Sequence, residues 1–219
     1  MLRKLLQDMQ KEDGKMKIGV LSLQGGVIEH INQIKLLGYD AVEVKKEGDL
    51  DIIDAIILPG GESTTIGKLL NVTNLMEPLR NKILEGMPVW GTCAGMILLA
   101  KDIENDKRRH LGVMDIKVRR NAFGRQIDSF RIKRVIEKIG KEEMELVFIR
   151  APYVIDIGEK VEVLFRIENK IVAVKQDNML ATSFHPELTG DLKFLNYFIE
   201  EVVKKSSYRN IDFLGSRII

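Results

Sequence analysis

Val89-Trp90-Gly91-Thr92-Cys93-Ala94-Gly95-Met96 decides the fold of this 219-residue chain. The stretch reads as the end of a strand from Pro88, then Gly-x-Cys-x-Gly, then a helix from Ala94 to Ala100. It is the sulfur counterpart of the Gly-x-Ser-x-Gly turn, in which a sharp strand-to-helix bend lifts the middle side chain clear of a sheet. Glycines two positions either side leave room for neighbouring backbone. At a helix N-terminus, unpaired amides and the helix dipole stabilise negative charge on the Cys93 sulfur. The amide of Ala94 points to where an oxyanion would form if Cys93 attacked an amide carbonyl. A lone cysteine is more commonly a buried structural residue, so the turn around it carries the argument.

Working outward, the same alternation repeats. Lys17 to Leu23 reads as a buried first strand ended by Gly25-Gly26, and Val27 to Leu37 as a helix with Ile28, Ile31, Ile34 and Leu37 at helical spacing and Gly38 as its stop. Val42 and Val44 mark a second strand. Ala55 to Leu58 forms a third, broken by Pro59-Gly60-Gly61 before helices from Thr64 and from Leu75 to Leu84. Parallel strands need crossover connections, so this order predicts an α/β fold: a three-layer, doubly wound, mostly parallel sheet with helices on both faces, flavodoxin-like. Lys101 to Arg134 reads as an insertion of extended segments. Leu146–Ile149, Val161–Ile167, Ile171–Lys175 and Met179–Phe184 read as further strands, and Leu192–Val203 as the closing helix. The domain is expected over residues 16–205, with an N-terminal extension over 1–15 and a C-terminal tail over 206–219.

Composition sets the class. Thirty-four Lys and Arg against 32 Asp and Glu leave no field to steer the chain to nucleic acid or an anionic membrane. One cysteine forms no internal disulfide, and no apolar stretch approaches the ~20 residues of a membrane helix. The first residues lack the pattern of a secretory signal. A cytoplasmic protein is the expectation.

A thiolate mechanism needs a base, and there are three histidines. His30, inside the first helix, and His110, in a charged stretch, read as solvated or satisfied surface residues. His185 ends a strand, is fixed by Pro186, and has Glu187 two residues on to orient the imidazole. Cys93, His185 and Glu187 are therefore the expected catalytic triad. Leu58-Pro59-Gly60-Gly61-Glu62-Ser63-Thr64 lacks the close of a phosphate-binding loop. Its expected role is to supply the Gly61 amide as the second oxyanion donor beside Ala94, with Glu62 and Ser63 helping to hold substrate, although Pro-Gly is also a common plain turn. No Cys/His ligand spacing suggests a metal.

Together the elbow and His-Pro-Glu resemble the class I, triad-type glutamine amidotransferases over about Met16 to Lys205. Within them, Leu23-Gln24-Gly25, Pro59 to Thr64, Arg120-Asn121-Ala122-Phe123-Gly124-Arg125-Gln126 and Phe148-Ile149-Arg150-Ala151-Pro152 are similar to the glutaminase subunits of pyridoxal 5'-phosphate synthase. The resemblance implies hydrolysis of L-glutamine without metal or cofactor. It also implies ammonia delivery to a synthase (lyase) subunit that condenses it with sugar phosphates, and glutamine contacts from Gly61, Glu62, Ser63, Arg120, Ile149 and Arg150. Planar guanidinium donors suit an α-carboxylate. The chain departs from the expected pattern at Ala122, where Ser is expected, and at both ends. Another triad glutaminase, such as that serving imidazole glycerol phosphate synthase, and a non-catalytic redox sensor on the same fold are the competing readings.

Overall fold

The computed structural model describes residues 15–120, 129–206 and 208. Expectations for residues 1–14, for Asn121 to Gln126, and for residue 207 and those beyond 208 lie outside the described residues.

Five neighbouring strands build the parallel half of the main sheet. They are β1 (Lys17–Leu21), β2 (Asp40–Val44), β3 (Ala55–Leu58), β4 (Val89–Thr92) and, much later in the chain, β12 (Met179–Thr182). They lie in the order β2-β1-β3-β4-β12, every pair parallel. The crossovers are α1 (Val27–Leu36), α2 (Ser63–Val72) with α3 (Met76–Leu84), and the short α4 (Ala94–Leu99).

Beyond β12 the sheet turns mostly antiparallel. It continues through β11 (Lys170–Gln176), β9 (Tyr153–Ile157), β6 (Met114–Arg119) and β5 (Ala100–Ile103), with β10 (Glu162–Ile167) also paired to β11. The expected extended insertion thus supplies β5 and β6 to the far edge of this sheet. Its last segment, β7 (Ser129–Val135), forms a separate antiparallel ribbon with β8 (Glu143–Ile149). β9 carried no signal in the sequence reading.

Why the central strands are apolar throughout is visible in their pleat. Ile18, Val20, Ala55, Ile57, Trp90 and Leu180 face one core, while Leu21, Ile56, Leu58, Val89 and Ala181 face the other. Successive side chains alternate across a sheet covered on both sides, so neither set is polar. The first core is closed by α1, by the β7–β8 ribbon and by the C-terminal helix. The second is closed by α2, α3 and α4.

The C-terminal helix begins as α5 (Lys193–Tyr197) and continues over Phe198–Val203 in wider π geometry, where Lys204 N bonds Ile199 O at 2.9 Å. Past it, Ser206 Oγ donates to Gly86 O and Tyr208 packs against the α2–α4 core, so the start of the expected tail returns to the domain.

On α1 the burial differs from the apolar spacing. His30, Ile31, Gln33 and Ile34 face inward, whereas Ile28 is 60% exposed. The i, i+3, i+4 face that lies on the sheet starts at His30 rather than at Ile28.

Phe198 is fully buried beside Trp90, ring centroids 5.8 Å apart. Phe198→Ala is expected to lower stability by about 3–5 kcal/mol, against less than about 0.5 kcal/mol for Ile28→Ala. Urea unfolding of the two variants checks this.

Candidate active site

Four loops leave the C-terminal ends of adjacent parallel strands, where α/β sheets place their ligands. β1 leads to Ser22–Gly26, β3 to Pro59–Glu62, β4 to Cys93, and β12 to Ser183–Glu187. Since β1, β3, β4 and β12 are neighbours, residues from Ser22 to Glu187 meet at one end of these strands.

Cys93 sits at the turn between β4 and α4 with φ 48° and ψ −99°, a left-handed backbone that a non-glycine residue adopts only under constraint. The constraint is local packing. A Cβ on Gly95 would stand 2.1 Å from Leu58 O, and one on Gly91 would stand 2.5 Å from the Gly95 carbonyl. Gly-x-Cys-x-Gly is thus required by the closeness of α4 to β3 and β4. Cys93 N bonds Thr182 O at 2.8 Å, which locks the elbow to β12. The sulfur keeps 8% exposure for its residue and lies 3.9 Å from Ile149 O.

His185 follows β12 by three residues and is braced by its own amide, which bonds Val147 O of β8 at 2.8 Å. Nδ1 and Glu187 Oε1 are 2.7 Å apart, and the Cys93 side chain also bears electrostatically on the ring. Gly60 closes over this pair: a Cβ there would meet His185 Cε1 at 2.3 Å and Cys93 Cβ at 3.4 Å. Burial opposes charge on His185, but the contacts to Cys93 and Glu187 outweigh it and raise its pKa from 6.5 to about 10.

Glu187 is 6% exposed. Burial alone would push its carboxyl up; the His30 and His185 rings outweigh this and hold it below the usual range. His30, read from sequence as a surface residue, is fully buried, with Nε2 3.5 Å from Glu187 Oε2 and 3.3 Å from Thr92 Oγ1. The signal in the sequence was its position four residues before Ile34 on the inward face of α1. His110 is half-buried against Gly67 of α2, whose Cβ would meet Nδ1 at 2.1 Å.

The remaining residues named from sequence divide. Ser63 is buried at the start of α2, and Gly61 is exposed beside Gln24, whose Oε1 accepts from Glu62 N at 2.8 Å. The Glu62 carboxylate caps α2, accepting from Thr64 N and Thr65 N at 3.2 and 2.7 Å, and its backbone carbonyl accepts from Ile66 N at 2.9 Å. Ile149 adjoins Cys93, and Arg150 follows it, exposed and with φ 42°.

Arg120 Nη2 is 2.8 Å from Asp106 Oδ2, and Arg108 shares that carboxylate at 2.7 Å. Arg108 Nη1 also reaches Thr64 Oγ1 at 3.2 Å, tying the cluster to the start of α2. Asp106 and Gln24 were given no role from sequence: Asp106 lies in no motif, and the Leu23-Gln24-Gly25 stretch does not say what Gln24 binds. Among the described residues, no group of three or more His, Cys, Asp and Glu is placed to hold a metal ion. No described helix is long and apolar enough to cross a membrane.

A family model described as the SNO glutamine amidotransferase family matches residues 20–204. The chain is 65% identical over 185 residues to the pyridoxal 5'-phosphate synthase subunit PdxT of Clostridium beijerinckii, covering 84% of this chain and 97% of that one. It is 56% identical over 189 residues to the protein of the same name from Carboxydothermus hydrogenoformans, covering 86% and 99%. A crystal structure titled as a glutamine amidotransferase superposes with a TM-score of 0.79 at 46% identity, over 84% of this chain and 97% of that one. PurLQS from Thermotoga maritima, at 16% identity and a TM-score of 0.66 over 85% of this chain and 99% of that one, shares the fold.

A ring pKa of about 10 keeps His185 protonated through neutral pH. Because this lies above the unfolded value of 6.5, the stability it contributes is complete below about pH 6.5 and is lost as pH rises through about 10. Histidine NMR titration should show one ring still charged at about pH 8, and Glu187→Gln should move that transition downward.

Proposed function

The chain belongs to the SNO glutamine amidotransferase family, and on that footing we propose that Cys93, His185 and Glu187 are the triad with which it hydrolyses glutamine. It is the glutaminase subunit of a pyridoxal 5'-phosphate synthase, releasing L-glutamate and ammonia for pyridoxal 5'-phosphate biosynthesis. The observation that carries the triad is the chain of contacts from the strained Cys93 through His185 to the buried Glu187. Residues 16–205 are inferred to form the amidotransferase domain, a reading supported by the family match over 20–204.

In the proposed mechanism, the Cys93 thiolate attacks the side-chain carbonyl carbon of glutamine. The amides of Ala94 and Gly61 receive the negative oxygen as the tetrahedral species forms. His185 gives its proton to the departing nitrogen, and ammonia leaves as the γ-glutamyl thioester forms. Water then attacks the thioester while His185 takes a proton, and glutamate departs with the thiolate restored. Glu187 stays ionised throughout and holds the ring by Nδ1. Gly61, Glu62, Ser63, Arg120, Ile149 and Arg150 are proposed to position the substrate. The guanidinium of Arg120 would then exchange Asp106 for the α-carboxylate.

Ammonia in neutral water takes up a proton and ceases to be a nucleophile, so direct transfer to the synthase subunit is the proposed route. The Gly60 carbonyl accepts from Gly26 N at 3.1 Å. A peptide carbonyl and the next N–H point opposite ways, so this bond fixes the direction of the Gly61 amide. Turning that peptide costs one hydrogen bond, about 1 kcal/mol, which partner docking readily offsets. The isolated subunit is therefore proposed to be weakly active, its oxyanion site completed on docking.

Glutamate release measured with and without the synthase subunit should rise at least about tenfold on its addition and vanish in Cys93→Ala. Equal turnover in both conditions would sink the docking proposal, and release that survives Cys93→Ala would sink the triad.

A further inference from the structure

Glu187 has two carboxylate oxygens, and His185 uses only Oε1. Oε2 is buried and makes no hydrogen bond of good geometry among the described residues. An ionised oxygen in that position is costly unless a donor faces it. The group that faces it is Nε2 of His30, at 3.5 Å, on a helix otherwise remote from the elbow. The same nitrogen is 3.3 Å from the hydroxyl of Thr92, the residue before Cys93. His30 therefore stands between the far end of the expected triad and the backbone that presents its nucleophile.

The surroundings select one form of this ring. Burial lowers the pKa of His30, more than nearby Glu187 raises it, so the ring is neutral and carries a single proton. With the proton on Nδ1, a lone pair on Nε2 would face Glu187 Oε2, an arrangement of like partial charges. With the proton on Nε2, the N–H meets the Thr92 oxygen at 3.3 Å with Oε2 3.5 Å away, and the vacant lone pair falls on Nδ1, which has no hydrogen-bond partner among the described residues. An unpaired neutral nitrogen is less costly than an unpaired carboxylate oxygen. The Trp90 ring, edge-on at 5.9 Å, holds the imidazole in place. One helical turn on, Gln33 Nε2 donates to Pro186 O and Thr189 O, both at 3.0 Å, so α1 grips the same loop by its backbone.

We propose that His30 is a positioning residue for the reaction: its neutral imidazole donates through Nε2 to Glu187 Oε2, fixing the carboxylate that in turn orients His185. The proposal rests on the triad reading above. His30 touches neither substrate nor sulfur; it acts through Glu187. At 3.5 Å the contact is long, and such contacts shorten when the substrate complex closes. The other titratable groups bearing on it are His185, Cys93 behind that ring, and Glu29 beside His30 on α1.

Three substitutions test it in the presence of the synthase subunit. The amide nitrogen of His30→Gln reaches the place of Nε2, that of His30→Asn reaches only the place of Nδ1, and His30→Leu fills the space without a donor. His30→Leu and His30→Asn should lose about 10- to 100-fold in kcat with the KM for glutamine changed less than about threefold, while His30→Gln keeps kcat within about threefold of the parent. Losing a donor to a charged oxygen should also move the acid limb of kcat/KM up by about one pH unit in the Leu and Asn variants. In a Glu187→Gln background, His30→Asn should cost less than about threefold more.

If His30→Leu fails to fold, the Gln and Asn pair decides alone. Equal losses in Gln and Asn, or an acid limb that stays in place, would overturn the proposal. A parent protein with no Cys93-dependent glutamate release would instead overturn the triad reading beneath it.

Discussion

A carboxylate is carried into the protein interior at Glu187, and the arrangement of the site follows from what a buried charge requires. Removing such an ion from water costs several kcal/mol, which only donors in place around it offset. His185 supplies one from the same loop, and His30 stands at the other oxygen from α1. The loop cannot drift, because Gln33 binds it from α1 and Val147 O binds the His185 amide from β8. Three elements far apart in sequence are thereby held to one geometry. The charge explains why a histidine lies on the inward face of a helix that packs on an apolar sheet, and the carbonyls of the loop that carries the charge explain the glutamine beside it.

The sheet delivers the other partner. Register between β4 and β12 sets Thr92 opposite Thr182, and the next residue on the β4 side is Cys93, bonded by its amide to Thr182 O. From that point the two chains diverge, one into α4 and one toward His185. The left-handed backbone of Cys93 costs on the order of 1–3 kcal/mol, and it persists because α4 lies so close to β3 that Gly95 has no room for a side chain. Strain at Cys93 and tight packing behind it are one feature.

Much of this was legible in the sequence for physical reasons. The parallel strands announced themselves because a sheet covered on both faces needs unbroken apolar runs, as in Ala55–Leu58, and the elbow because its glycines are obligatory. His185 and Glu187 were legible because they are two residues apart, so no tertiary knowledge was needed to pair them. What failed was long-range. His30 looked like a surface residue because a helical histidine carries no sign of what lies across the interface, and its partners are Thr92 and Glu187, 62 and 157 positions away. Ile28 looked like a core residue because three-residue spacing drifts around a helix of 3.6 residues per turn. The link from Arg120 through Asp106 and Arg108 to Thr64 was equally hidden, since it closes across the space between β6 and α2.

The chain contains one cysteine, so a covalent intermediate on sulfur has one possible address. Acid quenching during glutamine turnover with the synthase subunit, followed by mass analysis of peptides, reads it directly. The account predicts a γ-glutamyl adduct on Cys93 that forms more slowly in Glu187→Gln. Turnover with no adduct on Cys93, or an adduct that forms equally fast in Glu187→Gln, would contradict it.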